Sequence, residues 1–309
     1  MDKVLTYGEG HQSPSATDRR VQRSHLLMMI ATALVATSFP VGAAITNGLD
    51  SLVLTFLRFA LAALLLAPFV AWRYGLVIPR LQDLARYAVL SAFLVVFFWC
   101  MFAALRLTSA LNTATIFALT PSITAAASAF LLREKLTGKA RIALPLGVIG
   151  AVWVISRGDP TALTSLKFGL GDGIFLAGTI ALGIYSTLVK FLHRGEPMVQ
   201  MTFWTLTTGA IWLLLLSTSH WSDIEWSAVP VSIFAGIAYL AVFTTLVTFF
   251  VFQWSATIIG PTKVMLYTYL NPALVLIIGL VLGQELPPLA IYPGLLLILA
   301  ATFILQSSK

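Results

Sequence analysis

The sequence has little charge and almost no cysteine. Asp, Glu, Lys and Arg together make up 10% of the 309 residues, whereas hydrophobic types make up 59%, and the mean hydropathy is +0.92. A soluble domain of this length needs far more charge to cover its surface. The single cysteine, Cys100, lies in an apolar run, which excludes a disulfide framework and a cysteine-based metal site. These shortages predict an integral membrane protein.

The groups that membrane enzymes and pumps use are missing too. The sequence has no GxxxxGK[ST] phosphate loop, no nucleophile with a base, and no His or Asp cluster. We therefore expect no catalytic residue, no metal, no cofactor and no ATPase partner. No carboxylate lies at mid-span, and Asp172, at the start of a span, is the one candidate proton site. A uniporter or exchanger is thus favoured over a proton-coupled carrier.

What the sequence does contain is ten apolar runs, each long enough to cross a hydrocarbon core of about 30 Å as a helix. The predicted spans are 26–46, 52–72, 86–105, 110–132, 140–156, 170–190, 199–217, 229–251, 263–282 and 289–306. Residues 1–25 are polar and are predicted to form a disordered cytoplasmic tail. The predicted fold is therefore all-α.

The basic residues orient these spans. With ten crossings and a cytoplasmic amino terminus, only Arg106, Arg157 and Lys167 fall outside, while 15 of the 19 Lys and Arg residues fall inside and Arg58 lies within a span. The positive-inside rule therefore predicts that both termini are cytoplasmic. Because the basic residues lie in short connections without interleaved aromatic residues, nucleic-acid binding is not expected.

An internal repeat predicts the architecture. Pro121 and Glu134 are 13 residues apart, and so are Pro272 and Glu285; both pairs are related by an offset of 151. Five spans per repeat invert the second half. We predict two inverted five-helix repeats, 26–156 and 170–306, joined by an external linker at 157–169, with a solute site in a central cavity where the halves meet.

Several stretches in this order resemble the drug/metabolite transporter superfamily, in particular its ten-span EamA-type members. They are Ala36-Thr37-Ser38-Phe39-Pro40-Val41, Leu57-Arg58-Phe59 with Pro68, Asn112-Thr113-Ala114 through Thr120-Pro121, Arg133-Glu134-Lys135-Leu136, and Tyr269-Leu270-Asn271-Pro272 with Glu285. The resemblance covers about residues 26–306. It implies a basket of helices around a central cavity, alternating access, and frequent export of amino acids or related metabolites.

The candidate solute site consists of polar and aromatic side chains in the span interiors, where an aromatic cage suits an amphipathic solute. The substrate-binding candidates are Ser38, Phe39, Trp99, Phe117, Thr120, Tyr185, Tyr239, Phe243, Tyr267 and Asn271. Thr120 and Asn271 each precede a proline, so they serve either the solute or the freed backbone. For any single aromatic residue, core packing or lipid contact is the alternative interpretation.

Arg58 is the only basic residue well inside a span, where a charge costs at least about 2.5 kcal/mol. It either contacts an anionic or carboxylate group, or it is tied to backbone carbonyls or an external acid such as Asp50. Pro40, Pro121 and Pro272 are predicted helix kinks, because each removes a helix hydrogen bond.

These features together predict a secondary transporter of small metabolites that works by alternating access without ATP. Efflux of amino acids or related amphipathic solutes is the activity that the resemblance implies. A multidrug or toxic-amphiphile exporter and a permease working in uptake are the alternatives, and a membrane enzyme is the different class. The expected partners are a small-molecule solute and the lipid bilayer of the cell inner (cytoplasmic) membrane, and the sequence leaves a homodimer open.

Overall fold

A computed structural model describes residues 16–133, 138–159, 169–259 and 261–306. Most of the predicted tail and linker therefore lies outside the described residues. The same holds for Glu134, which is one member of the repeated Pro-to-Glu pairs, for Lys135 and Lys167, and for the side chain of Lys263.

Helices are the main secondary structure of the described residues, with no strand among them. The helices are α1 Ala16–Ile45, α2 Ser51–Tyr74, α3 Leu81–Leu105, α4 Ala110–Phe117, α5 Thr120–Leu131, α6 Gly138–Ile155, α7 Leu170–Leu192, α8 Met198–Ser217, α9 Val231–Ala241, α10 Thr248–Ile259, α11 Pro261–Leu266, α12 Asn271–Val281 and α13 Tyr292–Gln306. A π-helical segment, Val242–Val247, joins α9 to α10, and a 3₁₀ turn, Tyr267–Leu270, joins α11 to α12.

Within this part of the chain, nine helices are long and apolar enough to cross a membrane, and Leu289–Ala301 forms a shorter apolar helix. The prediction of an all-α, multi-span membrane protein is confirmed. The count of ten spans, the inversion of the halves and the central cavity stay predictions.

Side-chain hydrogen bonds show which connections share an end of the bundle. Arg106 donates from Nε to the Thr46 carbonyl at 2.9 Å, and Trp153 donates from Nε1 to the Ala290 carbonyl at 2.7 Å. Thr108 donates to Asp172 at the start of α7. These connections form what we name the Asp50 end. At the opposite end, named the Glu196 end, Arg86 of α3 meets Glu196 between α7 and α8.

Helices α6 and α13 cross with their backbones close together. A Cβ built on Gly150 would lie 2.6 Å from the Gly294 carbonyl oxygen, and one on Gly294 would lie 2.7 Å from the Gly150 carbonyl oxygen. Only glycine lets two backbones approach this closely, which is a common basis of helix association inside membranes.

Two spans are interrupted at matching positions. The first interruption, at Ala118 and Leu119, separates α4 from α5, and the second is the 3₁₀ turn that separates α11 from α12. The helices after the interruptions begin at Thr120 and Asn271, which are related by the offset of 151 seen in the sequence. In both helices the residue after the start is a proline, which cannot donate a backbone hydrogen bond to the preceding turn.

Candidate functional site

The residues before the two prolines satisfy the carbonyls that the prolines free. Pro121 leaves the Phe117 carbonyl without its helical donor, and the Thr120 hydroxyl donates to that oxygen at 2.5 Å. Pro272 cannot donate to the Thr268 carbonyl, which instead accepts from the backbone amide of Asn271 and, at 2.9 Å, from its Nδ2. The two halves thus solve the same local problem with different side chains.

Asn271 has one group left over from this arrangement. Its side chain is fully buried, and its Oδ1 finds no donor among the described residues. A buried acceptor without a partner costs free energy, so such a group in a native protein often marks the place of a ligand or a water molecule. Thr120, the residue that corresponds to Asn271 in the other half, has a hydroxyl but no side-chain carbonyl, so it presents no comparable acceptor.

Tyr269 joins the two interrupted spans beside this position. Its hydroxyl lies 3.2 Å from the Ser122 hydroxyl of α5, and its ring is fully buried against Gly147 of α6. Ser122 and Asn271 lie about ten residues from the ends of their spans. At 1.5 Å per residue this places them about 15 Å deep, close to the middle of a hydrocarbon core.

Five phenylalanine rings fill the core nearer the Asp50 end, and we name them the phenylalanine cluster. Their ring centroids are 4.8 to 6.3 Å apart in tilted or edge-to-face pairs, a preferred geometry for aromatic contacts. The cluster consists of Phe39, Phe97, Phe98, Phe117 and Phe175, from α1, α3, α4 and α7. From the helical rise, these residues lie about 8–12 Å below the Asp50 end. The cluster therefore packs the core between that end and the interrupted spans.

Arg58 of α2 lies over this cluster and reaches the π-helical segment. Its Nε donates to the Thr245 hydroxyl and its Nη2 to the Thr244 hydroxyl, both at 3.0 Å, and its guanidinium carbon is 4.2 Å from the Phe98 ring centroid. The side chain is 1% exposed, and its Nη1 has no hydrogen-bond partner among the described residues. The Asp50 carboxylate instead accepts from the Leu52 amide.

The other predicted site residues are distributed over both halves of the bundle. The Tyr239 and Thr37 hydroxyl oxygens are 2.8 Å apart. Phe243 is exposed, and its ring lies against Tyr239 in a tilted pair with centroids 5.2 Å apart. Tyr267 contacts His25 near the Glu196 end. The structure does not bring Trp99 into the phenylalanine cluster, because its side chain is exposed.

Ser38 and Tyr185 make contacts that hold helices rather than open towards a cavity. The Ser38 hydroxyl donates to the Val35 carbonyl at 2.6 Å within α1. Tyr185 packs at the contact of α7 with α3 and α8. Pro40 lies inside α1, and the helix continues past it to Ile45.

A buried ionic cluster at the Glu196 end was not foreseen. Arg86, placed by the sequence at a span boundary, has a side chain only 5% exposed that lies 3.0 Å from the Glu196 carboxylate and 3.1 Å from Asp83. It also donates to the Leu192 carbonyl. The three-residue spacing of Asp83 and Arg86 was the available signal, because it places both side chains on one helical face. The partner from the α7–α8 connection is a long-range contact that no local pattern reveals.

The pKa of Glu196 gives this cluster a pH dependence. Burial alone would raise the pKa of the Glu196 carboxyl. Hydrogen bonds from the backbone amides of Glu196 and Arg194 and the charges of Arg86 and His193 lower it by more, so the pKa of Glu196 lies below the ordinary 4.5. The ionised carboxylate therefore stabilises the folded state above the ordinary pKa. This contribution is lost as the pH falls through the lowered value.

We expect the variant Glu196→Gln to be less stable than the parent protein at pH 7, by about 1–3 kcal/mol, because Arg86 loses its ionised partner. The difference should shrink as the pH falls below 4.5. Thermal unfolding of detergent-purified protein at pH 7 and pH 4 measures it. Glu225→Gln, at an exposed loop position, is the matched control. A difference that is the same at both pH values would contradict the prediction.

Asp172, the candidate proton site, is used as a helix cap. Its carboxylate accepts from the Thr108 hydroxyl at 2.6 Å, from the Gly169 amide at 3.2 Å and from the Asn112 side chain at 3.4 Å. These donors tie the start of α7 to the start of α4. The carboxylate therefore has a structural task that does not need protonation.

A family model described as the EamA-like transporter family matches the chain twice, over residues 22–156 and over residues 169–306. YyaM, an uncharacterised transporter of Bacillus subtilis (strain 168), is 27% identical over 245 residues, which cover 78% of this chain and 80% of that protein. An uncharacterised transporter of Archaeoglobus fulgidus is 24% identical over 290 residues, which cover 93% of this chain and 98% of that protein.

A crystal structure among those with a similar fold has a TM-score of 0.67 over 92% of this chain and 96% of the other. The two sequences are 18% identical, so this likeness concerns the fold alone.

Proposed function

The chain belongs to the EamA-like transporter family, and from this premise we propose that it exports amino acids or related amphipathic solutes by alternating access, without ATP. We place it in the cytoplasmic membrane, with both termini on the cytoplasmic side. The Glu196 end then faces the cytoplasm and the Asp50 end faces outwards. Its relatives in Bacillus subtilis and Archaeoglobus fulgidus are both described as transporters, which favours a transporter rather than an enzyme.

The observation that carries this proposal is the unpartnered Asn271 Oδ1. It is a buried acceptor at about mid-membrane depth, beside a helix interruption and below the phenylalanine cluster. An ammonium or hydroxyl group of a solute would supply the missing donor, while apolar and aromatic parts of the solute would contact the rings above. An amino acid combines both kinds of group.

Three features support two inverted halves. The family model matches twice, and the helices that follow the interruptions begin 151 residues apart. The packing partners also correspond: α2 packs on α8 and α6 on α13, while the contact of α3 with α7 is mirrored by that of α1 with α9 and α10. In span numbers, these contacts are 2 with 7, 5 with 10, 3 with 6 and 1 with 8. Adding five to each number, and counting on from one after ten, gives the same set of contacts. An odd number of spans per half makes the exchange an inversion.

Flux measurements on the purified protein in liposomes test this function. Labelled amino acids should exchange across the membrane faster than in empty liposomes, and collapsing a proton gradient should leave the rate unchanged. With saturating labelled solute outside, the initial rate of uptake should be higher in inside-out vesicles than in right-side-out vesicles, as a preference for export requires. Export of hydrophobic cations alone would favour the toxic-amphiphile exporter instead, and faster uptake into right-side-out vesicles would favour a permease working in uptake. Absence of flux for all these solutes would contradict transport.

Asn271→Thr should lower the initial rate of flux several-fold without unfolding the protein. Threonine keeps a hydroxyl that can donate to the Thr268 carbonyl, as Thr120 does for Phe117, but it removes the unpartnered Oδ1. The loss corresponds to about 1 kcal/mol or more of solute interaction.

Thr120→Ser is the matched control for this variant, because it keeps the carbonyl capped and removes no unpartnered group. Its flux should remain near the parent value. Equal flux in Asn271→Thr and the parent protein, measured over a range of solute concentrations, would remove Asn271 from the solute pathway.

A further inference from the structure

A groove of about 470 Å³ runs between α5 and α6. Its lining residues on α6 recur every three or four positions and therefore occupy one face of that helix. They are Ala140, Arg141, Leu144, Pro145, Val148 and Ile149, with Ser122 contributed by α5. From Arg141 to Ile149 the groove is about 12 Å long, so it extends from the Glu196 end towards mid-membrane depth.

The groove joins an apolar channel to an exposed cation. Arg141 lies at its mouth, and Arg133 follows the end of the facing helix α5; both are exposed, and neither makes an ion pair with an acid in the described part of the chain. The remaining lining is apolar except for Ser122. A phosphate at the mouth and a hydrocarbon chain along the channel match these two regions. Basic pockets between transmembrane helices bind anionic lipid headgroups on the same principle.

We propose that this groove binds one acidic phospholipid from the leaflet at the Glu196 end, with its phosphate at Arg141 and Arg133 and one acyl chain between α5 and α6. A water-soluble anion would leave the apolar channel unfilled. A zwitterionic lipid would place a second, positive headgroup charge near the two arginines.

The inner end of the groove touches the candidate solute site. The Ser122 hydroxyl lies 3.2 Å from the Tyr269 hydroxyl and 3.4 Å from the Leu144 carbonyl. Tyr269 in turn packs on Gly147 of α6, which is within one helical turn of the groove residues Leu144 and Val148. An acyl chain in the groove would therefore contact α6 close to the place where α6 contacts Tyr269. Binding of the lipid does not depend on the proposed function. If the protein is the proposed transporter, the bound lipid should also increase the rate of transport.

Lipid binding to the purified full-length protein tests the proposal. Thermal unfolding and native mass spectrometry are compared with phosphatidylglycerol, phosphatidylcholine of the same chain length, and glycerol phosphate. Phosphatidylglycerol should bind most tightly and raise the unfolding temperature, whereas glycerol phosphate should have no effect. Arg141→Gln should weaken phosphatidylglycerol binding about fivefold, since one basic residue near a membrane surface contributes about this much.

Two further variants separate the headgroup from the chain. Val148→Trp fills the channel and should weaken phosphatidylglycerol binding although both arginines are intact. Arg80→Gln removes an exposed arginine at the same end but outside the groove, and should leave binding unchanged. Equal binding of the two lipids, stabilisation by glycerol phosphate alone, or an equal loss in Arg80→Gln and Arg141→Gln would overturn the proposal. If the parent protein binds phosphatidylglycerol as expected but shows no solute flux in liposomes, the proposed function is contradicted and the lipid site is not.

Discussion

Arg58→Met should lower the rate of transport about tenfold or more while leaving the protein folded and at least as resistant to heat as the parent. A buried guanidinium without an acidic partner is costly inside a membrane, and replacing buried charges with apolar side chains of similar size is often neutral or stabilising. The Thr244 and Thr245 hydroxyls keep their bonds to the Leu240 carbonyl at 2.9 and 3.0 Å, so the variant leaves neither of them unpaired.

The expected loss of transport follows from the π-helical segment that Arg58 contacts. Such segments are rare and occur frequently at functional sites. Because Arg58 bonds both threonines at the centre of Val242–Val247, it ties the register of this span to α2 and to the Phe98 ring. Without that tie, we expect the initial rate to fall about tenfold or more, which corresponds to about 1.4 kcal/mol.

The measurements for Arg58 are flux in liposomes and the midpoint of thermal unfolding on the same preparation. Arg58→Lys keeps a charge but cannot bridge the two hydroxyls as a fork, so its flux should also fall. Thr245→Val, which removes the acceptor of Nε, should lower flux in the same direction. A variant Arg58→Met that transports normally, or one that loses transport only because it unfolds, would contradict this account.

Gly150→Ala should lower the stability of the fold more than Arg58→Met does. The added Cβ would lie 2.6 Å from the Gly294 carbonyl oxygen and 3.0 Å from the Ile298 amide nitrogen. Both are backbone atoms, so no side-chain rotation relieves the overlap, and α6 and α13 must move apart. Overpacking of this kind typically costs about 1–3 kcal/mol, which should lower the midpoint of thermal unfolding by about 5 °C.

Gly173→Ala supplies the matched control for Gly150→Ala, because it makes the same chemical change in helix α7, where nothing lies within 4 Å of the added Cβ. Alanine is the better helix former, so this variant should be as stable as the parent or slightly more stable. Gly294→Ala, which meets the Gly150 carbonyl oxygen at 2.7 Å, should repeat the loss from the other helix. Equal stability of Gly150→Ala and Gly173→Ala, measured by thermal unfolding in one detergent, would show that the crossing is not tight.

The sequence predicted the all-α, multi-span class, which composition and the length of apolar runs determine locally, and this class is confirmed. The family was identified from stretches that resemble it, and it is confirmed too. It also singled out Thr120 and Asn271 as residues that serve either a solute or the freed backbone. The hydrogen bonds to Phe117 and Thr268 follow from the chemistry of the next residue, proline, which acts over one helical turn.

Features that depend on contacts between distant segments were beyond the sequence. The partners of Arg58 are 186 and 187 residues away along the chain, and a π-helical segment has no simple residue pattern. The burial of Arg86 depends on the α7–α8 connection in the same way. Trp99 was placed among the interior aromatics because it lies mid-span, but neighbouring residues of a helix face different directions, and only the packing of α3 decides which of them are buried.

The break at Ala118 and Leu119 also has a mechanical consequence. The helix beyond it, α5, has 12 residues and is about 18 Å long. If it swings by about 15° around this joint, its far tip sweeps about 5 Å, close to one helical pitch. A small rotation deep in the bilayer is thus enlarged at the mouth, while the segment on the other side of the joint keeps its place.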